Sequence, residues 1–314
     1  MLGMEIVSIS FNAIAPLFLF MALGFFLKKA DILHSNGVDD INKLVFKVLL
    51  PVNIAVAIYK ADLRAEMDMR MLLLAVGTII VSFLISWLSC LAFEKDRALT
   101  ATMVQGMFKC NYVITGIPVI LSVYGRLGIA AVLVPFVTIT NNVLSVFIFE
   151  YYGSTGKKIG KMLINMAKNP LILGSIAGLV LNLSNLTLPD SIYSGFLTGL
   201  SNSTTPVAMI ALGASFHFDS LKKNARLLVF INAMRLVVLP SFFLVFAVLI
   251  GLRGLDLGLI ALIVATPNAV NSYSTAVAMG GNADLADEIV ITTSLVSMLT
   301  MFVTFCIIGA TVGF

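Results

Sequence analysis

APLFLFMALGFFL, residues 15–27, returns later in the chain as NPLILGSIAGLVL, residues 169–181. Pro16, Leu17, Leu19, Gly24 and Leu27 of the first copy are matched by Pro170, Leu171, Leu173, Gly178 and Leu181 of the second. The register extends outward. Pro51-Val52 is answered by Pro206-Val207 at an offset of 155, and Gly125 by Gly280 at the same offset. Two homologous halves are the simplest account. Each half has room for five apolar segments, and an odd number turns the second copy over in a bilayer. Inverted halves supply two near-equivalent states that open to opposite sides, as in many secondary transporters.

Composition places the chain in a membrane. Of its 314 residues 59% are hydrophobic and 11% charged, with a mean hydropathy of +1.03, whereas soluble domains carry charge on about a quarter of their residues. Apolar stretches of roughly 20 residues, enough to cross about 30 Å of hydrocarbon, recur with short polar breaks. Ten spans are predicted: 5–27, 40–60, 71–93, 98–124, 127–150, 169–187, 192–215, 226–250, 255–281 and 285–313. The fold class expected is therefore an all-α polytopic membrane protein with two inverted five-helix repeats, residues 1–150 and 169–314, joined by a cytoplasmic linker, 151–168. That linker is polar, holds four lysines and is long enough only to connect; its lysines can also meet anionic lipid headgroups.

The distribution of cations sets an orientation. Turns after spans 1, 3, 5 and 7 hold twelve Lys and Arg, among them Lys28, Lys29, Lys157 and Lys223; the opposite turns hold five, Lys60, Arg64, Arg70, Arg126 and Arg253. The lysine-rich face is expected to be cytoplasmic, with both termini outside and the first span retained. The net charge of +4 reflects this bias and implies no nucleic-acid partner. Cys90, Cys110 and Cys306 fall inside spans without paired spacing and read as small apolar residues; His34 and His217 stand far apart. No metal site or cofactor is expected. HExxH and GxSxG motifs are absent, so the expectation is not an enzyme.

Spans 4 and 9, each about 27 residues, both carry helix breakers: Gly116-Ile117-Pro118 in one, Thr266-Pro267-Asn268 in the other. Proline removes a backbone donor and clashes one turn back, and freed backbone groups are tolerated in hydrocarbon only against protein or a wet cavity. Prolines also kink ordinary membrane helices, and Pro16, Pro51 and Pro240 read that way. Spans 4 and 9 differ because the breakers coincide with amides. Asn111 and Asn268 both lie thirteen residues into their spans, about 20 Å along a helix and so near the midplane. Broken helices crossing there would turn half-helix N-termini toward a common point, which suits an anion.

Asn271, Ser272 and Ser274 on span 9 and Thr115 on span 4 add groups that can replace water around a small polar solute. Lys109 is the only basic residue within span 4; it either faces a carboxylate substrate or snorkels to the cytoplasmic surface. Asn141, beside Thr138, Thr140 and Asn142 on span 5, either faces the crossing or bonds a neighbouring helix. Arg235 in span 8 can reach an interface or a neighbouring carbonyl. No Asp or Glu lies mid-span; Glu288, at the start of span 10, reads as a helix cap before it reads as a coupling site for an ion.

Four ordered motifs carry a resemblance: NYVITGIP (Asn111–Pro118), the segment Asn169–Leu181, TPVAMIALGASF (Thr205–Phe216) and ATPNAVNSYSTAVAMGGNADLA (Ala265–Ala286). Together they resemble the auxin efflux carrier family, the PIN-like transporters related more distantly to bile acid–sodium symporters. The resemblance implies a dimerising scaffold of spans 1, 2, 6 and 7 and a mobile transport domain of spans 3–5 and 8–10 that moves as an elevator. It also implies that Asn111, Pro118, Pro267, Asn268 and Asn271 are the crossover residues. The implied substrate is a small organic anion, a malate-like or auxin-like carboxylate, handled in a bacterial plasma membrane. The implied alternative is a sodium- or proton-coupled symporter of the same anions.

Overall fold

The computed structural model describes residues 16, 19–60, 68–94, 96–124, 129–153, 164–165, 167–184, 186–215 and 224–311. Both termini, most of the expected linker, Gly125, His217 and the neighbouring Lys222 and Lys223 lie outside the described residues, as does much of the cation distribution used for orientation.

Among the described residues the fold is helical, with no strand beyond one isolated bridge. The helices are α1 (residues 19–29), α2 (Ser35–Tyr59), α3 (Met69–Phe93), α4 (Arg97–Phe108), α5 (Ile117–Tyr124), α6 (Ile129–Gly153), α7 (Pro170–Leu183), α8 (Thr198–Ser215), α9 (Ala225–Leu249), α10 (Gly254–Ala265), α11 (Ser272–Ala278) and α12 (Ala283–Thr311). Wider π-helical turns interrupt α2 at Val45–Leu49 and α9 at Met234–Val238, and precede α5 and α8 at Tyr112–Gly116 and Ser191–Leu197.

Among the described residues five stretches are long and apolar enough to cross a membrane: Ser35–Tyr59, Met69–Leu91, Val132–Gly153, Ala225–Leu249 and Ala283–Gly309. They fall on predicted spans 2, 3, 5, 8 and 10. Pro170–Leu183 and Gly254–Ala265 are shorter apolar helices, and spans 4 and 9 are each split in two. The result is a polytopic membrane fold.

Local chemistry marks several helix starts. Asp68 accepts from the Arg70 and Met71 amides at 2.8 and 3.4 Å, Asp96 from Leu99 at 2.8 Å, and Asn169 from Leu171 at 2.9 Å, where Pro170 opens α7. Asn282 caps α12 through the Leu285 amide at 2.8 Å. Glu288, read from the sequence as that cap, instead lies inside the helix and is buried. The span-10 helix begins earlier than its apolar run, so the cap moves upstream.

Large apolar side chains point outward all round. Leu249 is 79% exposed, Leu19 71% and Val229 70%, a surface that would aggregate in water and that lipid covers at no cost. Inside, a large apolar cluster joins α3, α4, α6, α9, α10 and α12 with residues of α5, α8 and α11, and a smaller one joins α2 with Val146 of α6, Leu171 of α7 and Ala208 of α8.

Candidate functional site

Span 4 leaves helical geometry at Lys109 (φ −72°, ψ 115°) and span 9 at Thr266 (φ −65°, ψ 152°). Pro267 explains the second break, because a proline pushes the residue before it into extended conformation. The first break has no such cause on its own strand. The sequence placed it at Gly116-Ile117-Pro118, yet the helix ends about two turns earlier, and Pro118 lies inside the helical run that resumes as a wide turn at Tyr112–Gly116 and continues into α5.

Pairing supplies the reason. The Asn111 amide donates to the Pro267 carbonyl at 3.0 Å and the Ala269 amide to the Lys109 carbonyl at 3.3 Å, so Cys110 and Asn268 form an antiparallel bridge across the crossing. Each break satisfies the other's backbone groups.

Carbonyls freed at the C-terminal ends of α4 and α10 need donors. The Asn268 side-chain amide donates to the carbonyls of Gln105, Gly106 and Lys109 at 3.1, 3.1 and 3.2 Å. Arg235, from the middle of α9, donates to Met107 and Phe108 at 3.2 and 3.1 Å, to Ile263 at 3.2 Å, and twice to Thr266 at 2.7 and 3.0 Å. Two flanking helices hold the extended stretches. Asn141 of α6 accepts from the Cys110 amide at 3.3 Å and donates to the Cys110 Sγ at 3.1 Å, while Thr293 of α12 accepts from the Asn268 amide at 3.2 Å.

A cavity of about 300 Å³ opens between this crossing and helices α2, α6 and α8, within the usual size for a small-molecule site. Lys109, Cys110, Asn111 and Asn271 line it from the crossing, Thr138, Asn141 and Asn142 from α6, and Asn53, Lys60, Ser201 and Thr204 from α2 and α8. Lys109 is 1% exposed. Among the described residues its Nζ, the Asn111 Nδ2 and the Asn271 Oδ1 have no hydrogen-bond partner. Lys109 therefore faces the cavity and does not snorkel to the surface.

The structure thus brings Lys109, Asn111, Asn141 and Asn271 to one cavity. Thr266, Pro267 and Asn268 form the crossing itself, with the Asn268 amide turned to backbone carbonyls. Thr115, Gly116 and Ser272 are buried away from the cavity wall, Gly116 against Thr266; the side chain of Pro118 lies outside the described residues. Sequence reasoning passed over Cys110 as merely apolar, and missed the polar wall of α2 and α8. The SNSTTP run, residues 201–206, and Asn53 after Pro51-Val52 were its sequence trace. Among the described residues no cluster of His, Cys, Asp and Glu is arranged to hold a metal.

Comparison with known proteins agrees with the motifs. A family model described as membrane transport protein matches residues 9–305. An uncharacterized transporter of Methanothermobacter thermautotrophicus is 21% identical over 297 residues, covering 93% of this chain and 96% of its own. The uncharacterized transporter YfdV of Escherichia coli is 23% identical over 265 residues, 81% of this chain and 83% of its own. One from Methanocaldococcus jannaschii is 24% identical over 272 residues, 83% and 87% of the two chains. With a match that runs nearly end to end and the crossing motifs inside it, the chain belongs to the membrane transport protein family, the auxin efflux carriers.

Proposed function

We propose that this membrane transporter carries a small organic anion, a carboxylate of malate-like or auxin-like size, by elevator-type alternating access. One observation carries the reading: Lys109 sits on the wall of a cavity rich in amides, and its ammonium has no partner among the described residues. A buried cation left unpaired costs several kcal/mol. A carboxylate would offset that cost through a charge-assisted hydrogen bond, and Asn111 and Asn271 would satisfy its remaining lone pairs or hydroxyls.

The elevator element of the reading is supported by how the parts are joined. Spans 4 and 9 are tied to each other and to α9 by backbone pairing, Asn268 and Arg235, which suits a body that moves as one. Helices α2, α7 and α8 share a small core, to which α6 adds Val146, and α2 and α8 face the cavity opposite the crossing. In this reading they belong to the fixed scaffold, through which a homodimer would form, in ten spans arranged as inverted repeats. A bacterial plasma membrane, implied by the family likeness, and both termini outside, from the cation distribution, complete the reading.

Flux of radiolabelled mono- and dicarboxylates into proteoliposomes tests the proposal. Lys109→Met should abolish flux and Asn111→Ala should weaken apparent affinity at least tenfold. Wild-type flux in Lys109→Met would end it.

A second reading, proton-coupled symport, is favoured by two buried carboxylates near the start of α12. Asp287 and Glu288 are 2% and 1% exposed, and each keeps one oxygen without a partner among the described residues, although Asn224 donates to the other Glu288 oxygen at 2.8 Å. Collapse of the pH gradient should then slow accumulation, and Asp287→Asn with Glu288→Gln should remove that sensitivity. Flux indifferent to the gradient excludes it.

A further inference from the structure

We propose that the Arg235 guanidinium is a built-in cation that fills a cage of carbonyl oxygens at the crossing, so that no metal cation from solution is bound there. The cage consists of the Met107, Phe108, Ile263 and Thr266 carbonyls, with the Thr266 hydroxyl at 3.4 Å as a fifth oxygen. These oxygens come from the C-terminal ends of two different half-helices, α4 and α10. Each helix end carries roughly half an elementary negative charge, so the two together call for about one positive charge. Arg235 supplies one, is 1% exposed, and has no carboxylate within ion-pair distance among the described residues. Its counter-charge is the backbone.

Unwound carbonyls at half-helix ends are the groups that coordinate alkali cations in broken-helix transporters. Here a tethered cation stands among them. Arginine suits the place because its planar fork spans both helix ends at once, which the compact ammonium of lysine cannot. The charge is permanent, since a guanidinium does not lose its proton in proteins. It also cannot diffuse away, so the charge balance of the crossing does not depend on external sodium. The proposal leans on the carrier reading for its bearing on transport, and it is tested without a transport assay.

The test is thermal unfolding of purified protein in sodium chloride, low-millimolar guanidinium chloride and choline chloride at equal ionic strength. The wild type should melt at the same temperature in all three. Arg235→Ala should melt lower in choline and regain about 2–4 °C in sodium or guanidinium, the shift that binding to the native state produces by mass action. Arg235→Lys keeps a tethered charge and should show no cation response; a loss of packing alone would show none in either variant. If Arg235→Ala does not fold, Arg235→Gln carries the same comparison.

A wild type stabilised by sodium, or an alanine or glutamine variant indifferent to every cation, overturns the proposal. Cation-rescued melting with no anion flux would sink the carrier reading alone, whereas normal flux with a sodium-stabilised wild type would sink this one alone.

Discussion

Gly178 of α7 lies so close to Ala55 of α2 that a Cβ on the glycine would stand 2.7 Å from the Ala55 carbonyl oxygen. Its sequence counterpart Gly24 makes the same approach to Ile210, and Ile210 stands 155 residues after Ala55, the offset that relates Pro51 to Pro206. Each half therefore lends one glycine helix to the other half's second helix. Close backbone approach through small residues is how membrane helices associate without a hydrophobic drive between them.

Substitution at that contact has no soft neighbour to displace. Gly178→Leu should lower stability in detergent by about 1–3 kcal/mol through overpacking, and Gly24→Leu by a similar amount. Melting temperatures of the two variants check this; a wild-type value for either means that the helices can separate there at no cost.

Those glycines were legible in the sequence because a helix contact that is repeated leaves a repeated letter. The span boundaries were legible too, since an apolar run ends where lipid does: 226–250 was expected and Ala225–Leu249 is found. The break in span 9 could be read from Pro267. The break in span 4 could not, because Lys109 and Asn111 leave the helix to pair with a stretch nearly 160 residues away, and nothing local encodes that. Arg235 was visible as a lone mid-span cation, but its five carbonyl contacts come from four residues on two other segments.

Asn111 and Asn268, which the sequence treats alike, should now separate. The Asn268 amide holds three carbonyls, so Asn268→Ala should cost about 1–3 kcal/mol of stability by leaving buried acceptors without a donor. The Asn111 Nδ2 has no partner among the described residues, and Asn111 lines the cavity, so Asn111→Ala should leave the melt nearly unchanged and weaken anion binding. Paired melting and ligand-binding measurements decide; equal stability losses would contradict the division.

Tyr273 ties the short helix α11 to two others. Its hydroxyl donates to Ser215 Oγ of α8 and accepts from Asn42 Nδ2 of α2 at 3.4 Å. If spans 4 and 9 move against α2 and α8, this link has to open. Tyr273→Phe removes one or two hydrogen bonds worth about 0.5–1.5 kcal/mol each, which should raise exchange of anion across proteoliposomes several-fold where departure from this state limits the rate. An unchanged or slower exchange, with the fold intact, would show that the link survives the cycle.

Lys109 sets stability against function. Its ammonium is buried with no partner among the described residues and bears the cost of lost hydration when no anion is bound. Lys109→Met keeps most of the side-chain volume and removes that charge, so the variant should melt higher than wild type when no anion is present. Added carboxylate should then raise the wild-type melting temperature and leave the variant unmoved, because the differential binding is gone. A variant that melts lower than wild type without ligand would mean that the ammonium is already satisfied in the empty state, and with it the argument for an anion at this cavity would lose its footing.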